Sequence, residues 1–469
     1  MSNKTAFAGL NKIGTYLDED LPKINENTDI TDAHLAQAAT ELQTEAQTRA
    51  AADAALQGEI EGESNTRSSE DLKLLAFLTA EATERQQADA AETEARSAGD
   101  ADNAADLAAH DASDAAHDAL VRRITVGNLS PVIGICQVDV GNYTGLWCHV
   151  DENGQPVQPN ARYFDYHPVY SGMRRVLMDS QVMVEIPVFY VKYMIVTSGP
   201  FAGKPCKLIS PAPKEGFKPY PAFLDSSGTV LNKIYVGAFQ GTNEGGIPVK
   251  AGSRPGKMPL VNATIDTMRQ YCANRNTDGV TGFHLWDIYE YNAICLLFLI
   301  EHANTDSQAI MGRGWVDSSA AVTTDDQHQP YWRGFSGLFG NVWQFVDGLR
   351  LKGDRTIEIF KNDGSRTYVS TGQKSPSYDG SNIARIVSLY TGEGAGFCFD
   401  DCILPATSST NAALGMFPDY FYGGSGSAGN ILLIGGAWNN SGGAGLFCLY
   451  LSNAVSNAHA YVGCRSAKH

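Results

Sequence analysis

Near the end of the 469-residue chain, "GLFCLYLSN" (445–453) sets Cys448, Tyr450 and Ser452 between Phe447, Leu449 and Leu451. A period of two places the apolar trio on one face of a strand and the Cys, Tyr, Ser trio on the other. Solubility does not call for that outward face. Its chemistry is contact: Tyr offers rigid amphipathic area at low entropic cost, and Ser offers adaptable hydrogen bonds. Downstream, "HAYVGCRSA" (459–467) alternates again, with His459 and Tyr461 on one face and Ala460, Val462 and Cys464 on the other. Ala, Val and Cys are small buried types, so Cys464 is expected in the core and Cys448 at the surface.

Groups that carry reactions are sparse. Nine cysteines run from Cys136 to Cys464 without a CxxC, and the closest pair, Cys398 and Cys402, has no matching second pair. That argues against a zinc knuckle and fits reduced thiols made in a cytoplasm. The ten histidines are dispersed, with His34, His110 and His117 early and His469 last. "TTDDQHQP" (323–330) offers Asp325 and Asp326 to a hard cation, or else is a solvated acidic loop. No GxSxG, HExxH or Walker pattern is present. The expectation is no catalytic set, no bound metal and no cofactor.

The elements that must position these residues fall into two compositions. Residues 31–122 are rich in Ala, Glu, Asp, Gln, Thr and Arg, hold no Pro, Cys or Trp, and have Gly only at 58, 62 and 99. That is helix-forming composition. Arg49/Asp53, Arg67/Asp71, Arg85/Asp89 and Arg96/Asp100 share one spacing, and Leu56 and Ile60 recur 18 residues on as Leu74 and Leu78. Eighteen residues are five helical turns, so each pair returns to one face. A stripe this thin needs several chains to bury it, which predicts a coiled-coil stalk. A solvated Ala-rich linker is the alternative, above all over 98–119. A net charge of −17 argues against nucleic acid, whose phosphates need Lys and Arg, and against an anionic membrane surface, so neither nucleic-acid binding nor membrane insertion is expected. The opening "MSNKTAFAGLNKIG" lacks an apolar signal core, and no apolar run is long enough to cross a bilayer.

Past residue 123 the composition turns to Gly, Pro, aromatics and Val. "VMVEIPVFYVKYMIV" (182–196) predicts strand, and "GFHLWDIYEYNAICLLFLIEHAN" (282–304) predicts a largely buried helix. The pattern is α+β with much irregular backbone. In "GLFGNVWQFVDG" (337–348), Phe339, Val342, Trp343, Phe345 and Val346 read as core, and Gly337, Gly340 and Gly348 as turns.

This last stretch, with Gly340, Asn341 and Trp343, resembles the "GNVWEW" element of the formylglycine-generating-enzyme-like branch of the C-type lectin fold. "EIPVFYVKYMIV" (185–196), "PYPAF" to "NKIYVGAFQGT" (219–242), "GGAWNN" (435–440) and "VGCRSA" (462–467) resemble further elements of that branch, in order. The resemblance implies an α+β C-type lectin-like domain over 123–469, behind the stalk at 31–122 and an attachment segment at 1–30. Enzymes of that branch carry a copper-binding cysteine pair. Cys448 and Cys464, 16 residues apart, are the candidates here, which leaves an oxidase as an alternative. The lectin calcium motifs, EPN or QPD followed by WND, are absent.

Residues 435–467 also resemble the variable region of diversity-generating-retroelement target proteins. The departures fall where that pattern has Asn, at Ala437, Gly443, Tyr450, Ser452, His459 and Tyr461, and Cys448 replaces an aromatic. The resemblance implies a diversified ligand-binding face of Ala437, Asn439, Asn440, Gly443, Cys448, Tyr450, Ser452, His459 and Tyr461. It implies a fixed framework of Gly340, Asn341, Trp343, Gly435, Gly436, Trp438, Phe447 and Gly463. By the same resemblance, to the major tropism determinant class, the chain would be a non-enzymatic adhesin at a phage tail-fibre tip. It would be a homotrimer made in the host cytoplasm and carried on the virion. Its partners would be other tail or baseplate proteins at the N-terminus and a bacterial surface receptor, protein or glycan, at the face. A structural fibre protein without receptor contact is the remaining alternative.

Overall fold

The computed structural model describes residues 40–41, 44–45, 47–52, 130–139, 147–160, 162–378, 380, 383–425 and 429–469. The chain divides between Ile124 and Thr125. In the first unit the described residues are helical and exposed. The Thr44 and Thr48 hydroxyls donate to carbonyls one turn back at 2.7 and 2.8 Å, and Arg49 pairs with Glu45 across a turn. The remainder of the expected stalk and the segment 1–30 lie outside the described residues.

The second unit is mostly strand, with few helices, arranged around three main sheets. The first has five strands in the order 147–150, 133–137, 205–210, 190–195, 218–219, and the second has 283–285, 466–468, 233–237, 181–187, 174–178. The apolar run 182–196 therefore does not form one strand. It breaks after Pro187, which has no N–H to extend a ladder. Val188 bonds Asn232 O at 2.9 Å, Phe189 is fully buried, and the chain re-enters the other sheet at Tyr190.

The third sheet carries the C-terminal segment. Its strands are β1 (Trp343–Leu351), β2 (Thr356–Phe360), β3 (Tyr368–Lys374), β4 (Phe421–Tyr422), β5 (Asn430–Gly435), β6 (Gly445–Ala454) and β7 (Val462–Gly463). The order is β3-β2-β1-β5-β6-β4, with β7 pairing β1 in parallel through Trp343↔Val462. Residues 339, 342, 343, 345 and 346 are all buried, as their types predict.

Two helices brace these sheets. Helix α1 (Ile265–Ala273) starts at Thr264, whose hydroxyl accepts from Thr267 N at 3.3 Å. Helix α2 (Ile288–His302) starts at a capping box: Asp287 accepts from Tyr289 N and Glu290 N, and the Glu290 carboxylate accepts from Asp287 N at 2.8 Å. It is buried from Ile288 to Ile300 on every side, as an all-round apolar helix must be. Trp286, expected on the helix, precedes it and donates to Phe345 O at 2.7 Å. Tyr289 and Tyr291 donate to Phe360 O and Leu446 O, both at 2.6 Å, so α2 is keyed to the sheet that bears the C-terminal segment. Among the described residues no helix is long and apolar enough to cross a membrane.

Candidate binding face

The framework of 435–467 is set by backbone geometry. Gly435 and Gly436 adopt φ of +90° and +80°, where a side chain is strained. A Cβ on Gly436 would stand 2.8 Å from the Ala444 Cβ. Asn341, also left-handed at φ +61° and fully buried, acts as a hub. Its amide donates to Gln240 Oε1 and Val322 O at 3.0 Å, its Oδ1 accepts from Val322 N at 2.8 Å, and its carbonyl accepts from Trp438 N at 3.0 Å. Trp343 N donates to Tyr461 O at 2.8 Å, and Asn262 N donates to His459 O at 3.1 Å. The backbone beneath both residues is thus fixed whatever their side chains are.

Arg465 closes the segment. It is fully buried, with Nε on Gln344 Oε1 at 2.8 Å, Nη1 on Gly237 O at 2.6 Å, and Nη2 on Ser336 O and Gly337 O at 3.1 and 2.6 Å. Its guanidinium lies 5.3 Å from the Trp286 ring centre. Burial lowers its pKa to about 9.

On this base lies a cluster of aromatic and polar side chains. Tyr450 packs at 5.6 Å from Trp343 and 5.0 Å from Tyr422, and Trp343 meets Tyr422 edge-on at 5.8 Å. His459 stacks on Tyr461 at 4.8 Å and 7°, and Trp438 meets Tyr461 edge-on at 6.2 Å. Tyr461 is 40% exposed and Asn439 is exposed, while Trp438, Asn440, Tyr450, Ser452 and His459 are half-buried. Burial, then the neighbouring Tyr378 and Tyr461, push the Tyr450 phenol up, so it stays a neutral donor. Ser452 donates to Gly423 O, and Asn440 bridges Ala437 N at 2.7 Å and the Tyr422 hydroxyl at 3.3 Å.

Six expected face residues, Asn439, Asn440, Tyr450, Ser452, His459 and Tyr461, therefore reach the surface, and three do not. Cys448, expected outside, is fully buried. The segment 418–422 lies over it: β4 pairs β6 in parallel through Phe421↔Leu449 and Tyr422↔Tyr450, and Leu449 N donates to Tyr420 O at 3.3 Å. Strand β6 is buried on both faces up to Leu449 and alternates only from Tyr450. Gly443 is buried under Tyr420, whose ring atom Cδ2 would stand 2.2 Å from a Cβ there. Ala437 is fully buried in the turn that Asn440 caps. Ala460, read as inward, is exposed, because residues 455–461 are turn and loop rather than strand. Trp438, read as framework, is half-exposed and part of the face.

Tyr422 and Tyr378, which alternation in 445–467 does not point to, stand beside Tyr450. Tyr378 is 37% exposed, and its backbone N donates to Gly424 O at 2.9 Å. Tyr422 sits in "DYFYGG" (419–424), where three consecutive aromatics before two glycines are the one signal that points to it.

The other candidate chemistries are corrected or placed elsewhere. Asp326 is held by Arg175 in a two-bond fork at 2.6 and 2.7 Å, and Asp325 accepts from the His328 ring at 2.6 Å, so the pair does not converge on a cation. Cys464 is buried against Cys272, and Cys448 is buried beside Asp419.

No family model matches the chain, and no curated protein matches it. Solved structures similar to it include PvdO from Pseudomonas aeruginosa, at 10% identity and a TM-score of 0.28, over 64% of this chain and 98% of that one. Treponema denticola variable protein 1 is similar at 12% identity and a TM-score of 0.31, over 63% of this chain and 98% of that one. The Major Tropism Determinant U1 variant is similar at 10% identity and a TM-score of 0.24, over 73% of this chain and 72% of that one.

Proposed function

We propose that this chain is a non-enzymatic adhesin that grips a bacterial surface receptor through Asn439, Asn440, Tyr450, Ser452, His459 and Tyr461, flanked by Trp438. The observation that carries the reading is the division of one segment into two kinds of position. Its buried members are tied down by backbone bonds, and its outward members form one aromatic and polar cluster. The resemblance of 435–467 to a retroelement-diversified region supports the same division in part: four of its seven departures, at 450, 452, 459 and 461, fall on that cluster, and those at 437, 443 and 448 are buried. A C-type lectin-like domain would serve as the rigid carrier. A phage tail-fibre tip is the setting that suits it, with the N-terminal residues on the virion and the stalk joining three copies. Weak single contacts would then add by avidity on a repetitive cell surface.

The test is adsorption of the full chain to a panel of bacterial strains, beside Y450A/S452A/H459A/Y461A. The reading expects binding to a subset of strains and its loss in a variant that melts like the parent. Equal binding by both proteins would move recognition away from this face and favour a structural fibre protein.

A further inference from the structure

A second group of side chains, none of them in the face, converges on one point. His284 lies on strand 283–285, Glu290 on the first turn of α2, and His469 beside strand 466–468, which pairs with 283–285. The Glu290 Oε1 atom is 2.8 Å from His284 Nε2 and 3.0 Å from His469 Nε2. One such atom from each residue lies within 4.8 Å of the others. Glu290 is wholly buried, while the His284 and His469 side chains are 16% and 18% exposed, so the point faces an opening on the histidine side.

The hydrogen bonds fix the donor atoms. The Gly282 carbonyl can only accept, and it takes His284 Nδ1–H at 2.8 Å and His469 N–H at 3.3 Å. With its proton on Nδ1, the neutral His284 ring presents a lone pair at Nε2. Arg366 Nη2, a donor only, lies 2.6 Å from His284 Nε2 and matches that form, whereas an imidazolium would donate from Nε2 to Glu290 Oε1. In the neutral form two acceptors, Nε2 and a carboxylate oxygen, face each other at hydrogen-bond distance, and a cation between them relieves their repulsion. Arg366 Nη2 is the cation at hand, 3.3 Å from His469 Nε2 and 3.8 Å from Glu290 Oε1. It comes from a surface loop where Arg366 is 34% exposed and its backbone is left-handed at φ +54°. Its Nε also has a second anchor, Asp287 Oδ2 at 3.3 Å.

We propose that His284, Glu290 and His469 form a site for one divalent transition-metal ion of the zinc class, and that the Arg366 guanidinium is the cation the ion displaces. Two imidazole nitrogens and one carboxylate oxygen are a zinc-type donor set, whereas calcium and magnesium favour all-oxygen shells. Ligand atoms roughly 2.0–2.1 Å from a tetrahedral zinc stand about 3.3 Å apart, so the two separations to Glu290 must open modestly and the three atoms, now within 4.8 Å of one another, must draw to that spacing around the ion. The outer contacts are those that orient metal ligands: a backbone carbonyl on His284 Nδ1 and the Asp287 N–H on Glu290 Oε2 at 2.8 Å. The fourth position falls on the open side and takes water. Bound there, the ion would fasten residue 469 to the start of α2.

The test uses the untagged full chain, stripped with a chelator and titrated with zinc chloride by calorimetry, with cobalt(II) absorption as the spectroscopic check. One ion per chain is expected, together with a tetrahedral cobalt spectrum. H284A and H469A should each weaken binding at least tenfold, and R366Q should tighten it by removing the competitor. H469A alters a residue next to the outermost strand pairing and keeps the test valid if H284A misfolds. Zinc binding that is unchanged in H469A and H284A overturns the proposal, as does absence of binding in both the parent and R366Q. Cell adsorption through the face is a separate readout, so the two ideas fail independently.

Discussion

At the scale of single residues, the C-terminal segment separates positions that carry the fold from positions that it carries. Gly436 has no room for a methyl group and a backbone that disfavours one. G436A should cost about 1–3 kcal/mol. Y461A removes exposed atoms and should stay within about 0.5 kcal/mol of the parent, and S452A, which gives up one bond to Gly423 O, should cost about 0.5–1.5 kcal/mol. Urea melts of the three variants check this; equal losses at all three would show that the face is part of the framework. This distinction was partly legible in the sequence. Tyr450, Ser452, His459 and Tyr461 were found because side-chain alternation is a local property. Cys448 was misplaced because its cover, 418–422, comes from a separate stretch of chain, and alternation within one strand does not report a neighbour lying across it.

At the scale of elements, strand β6 owes its double burial to the turn before β4. Asp419 there is fully buried and accepts from Phe447 N at 2.7 Å. Burial raises its pKa well above the usual carboxylate value. The folded state then holds a proton that the unfolded chain releases near pH 3.9, roughly the free Asp value. Its contribution is therefore complete below that pH and is lost as pH rises toward the folded value. D419N cannot titrate, so its stability relative to the parent should grow between pH 4 and pH 8. Denaturant melts across that range measure it, and a constant difference would mean that Asp419 is ionised in the fold throughout. Helix α2 was readable in advance from apolar residues near helical spacing, with Glu290 and Asn292 between them. The break of 182–196 into two sheets was signalled by Pro187 alone, and nothing local says that the chain changes sheets there.

At the scale of the whole molecule, the chain divides at Ile124/Thr125, near the change in composition. A chain shortened to 125–469 should keep the melting transition of its sheets, since their cores are made within that unit. If residues 31–122 join the copies, the shortened chain should sediment as a monomer and wash from cells faster than the full chain. Equal sedimentation of the two would place self-association in the second unit. The topology was the least legible level, because strands 283–285 and 466–468 pair across most of the second unit and no local pattern announces it. Arg465 illustrates what that distant closure brings. Three of its four acceptors are main-chain carbonyls, of Gly237, Ser336 and Gly337. A carbonyl is present whichever amino acid the codon specifies. The clasp behind residues 435–467 is therefore largely indifferent to which side chains its partners carry, and substitutions at the outward positions leave it in place.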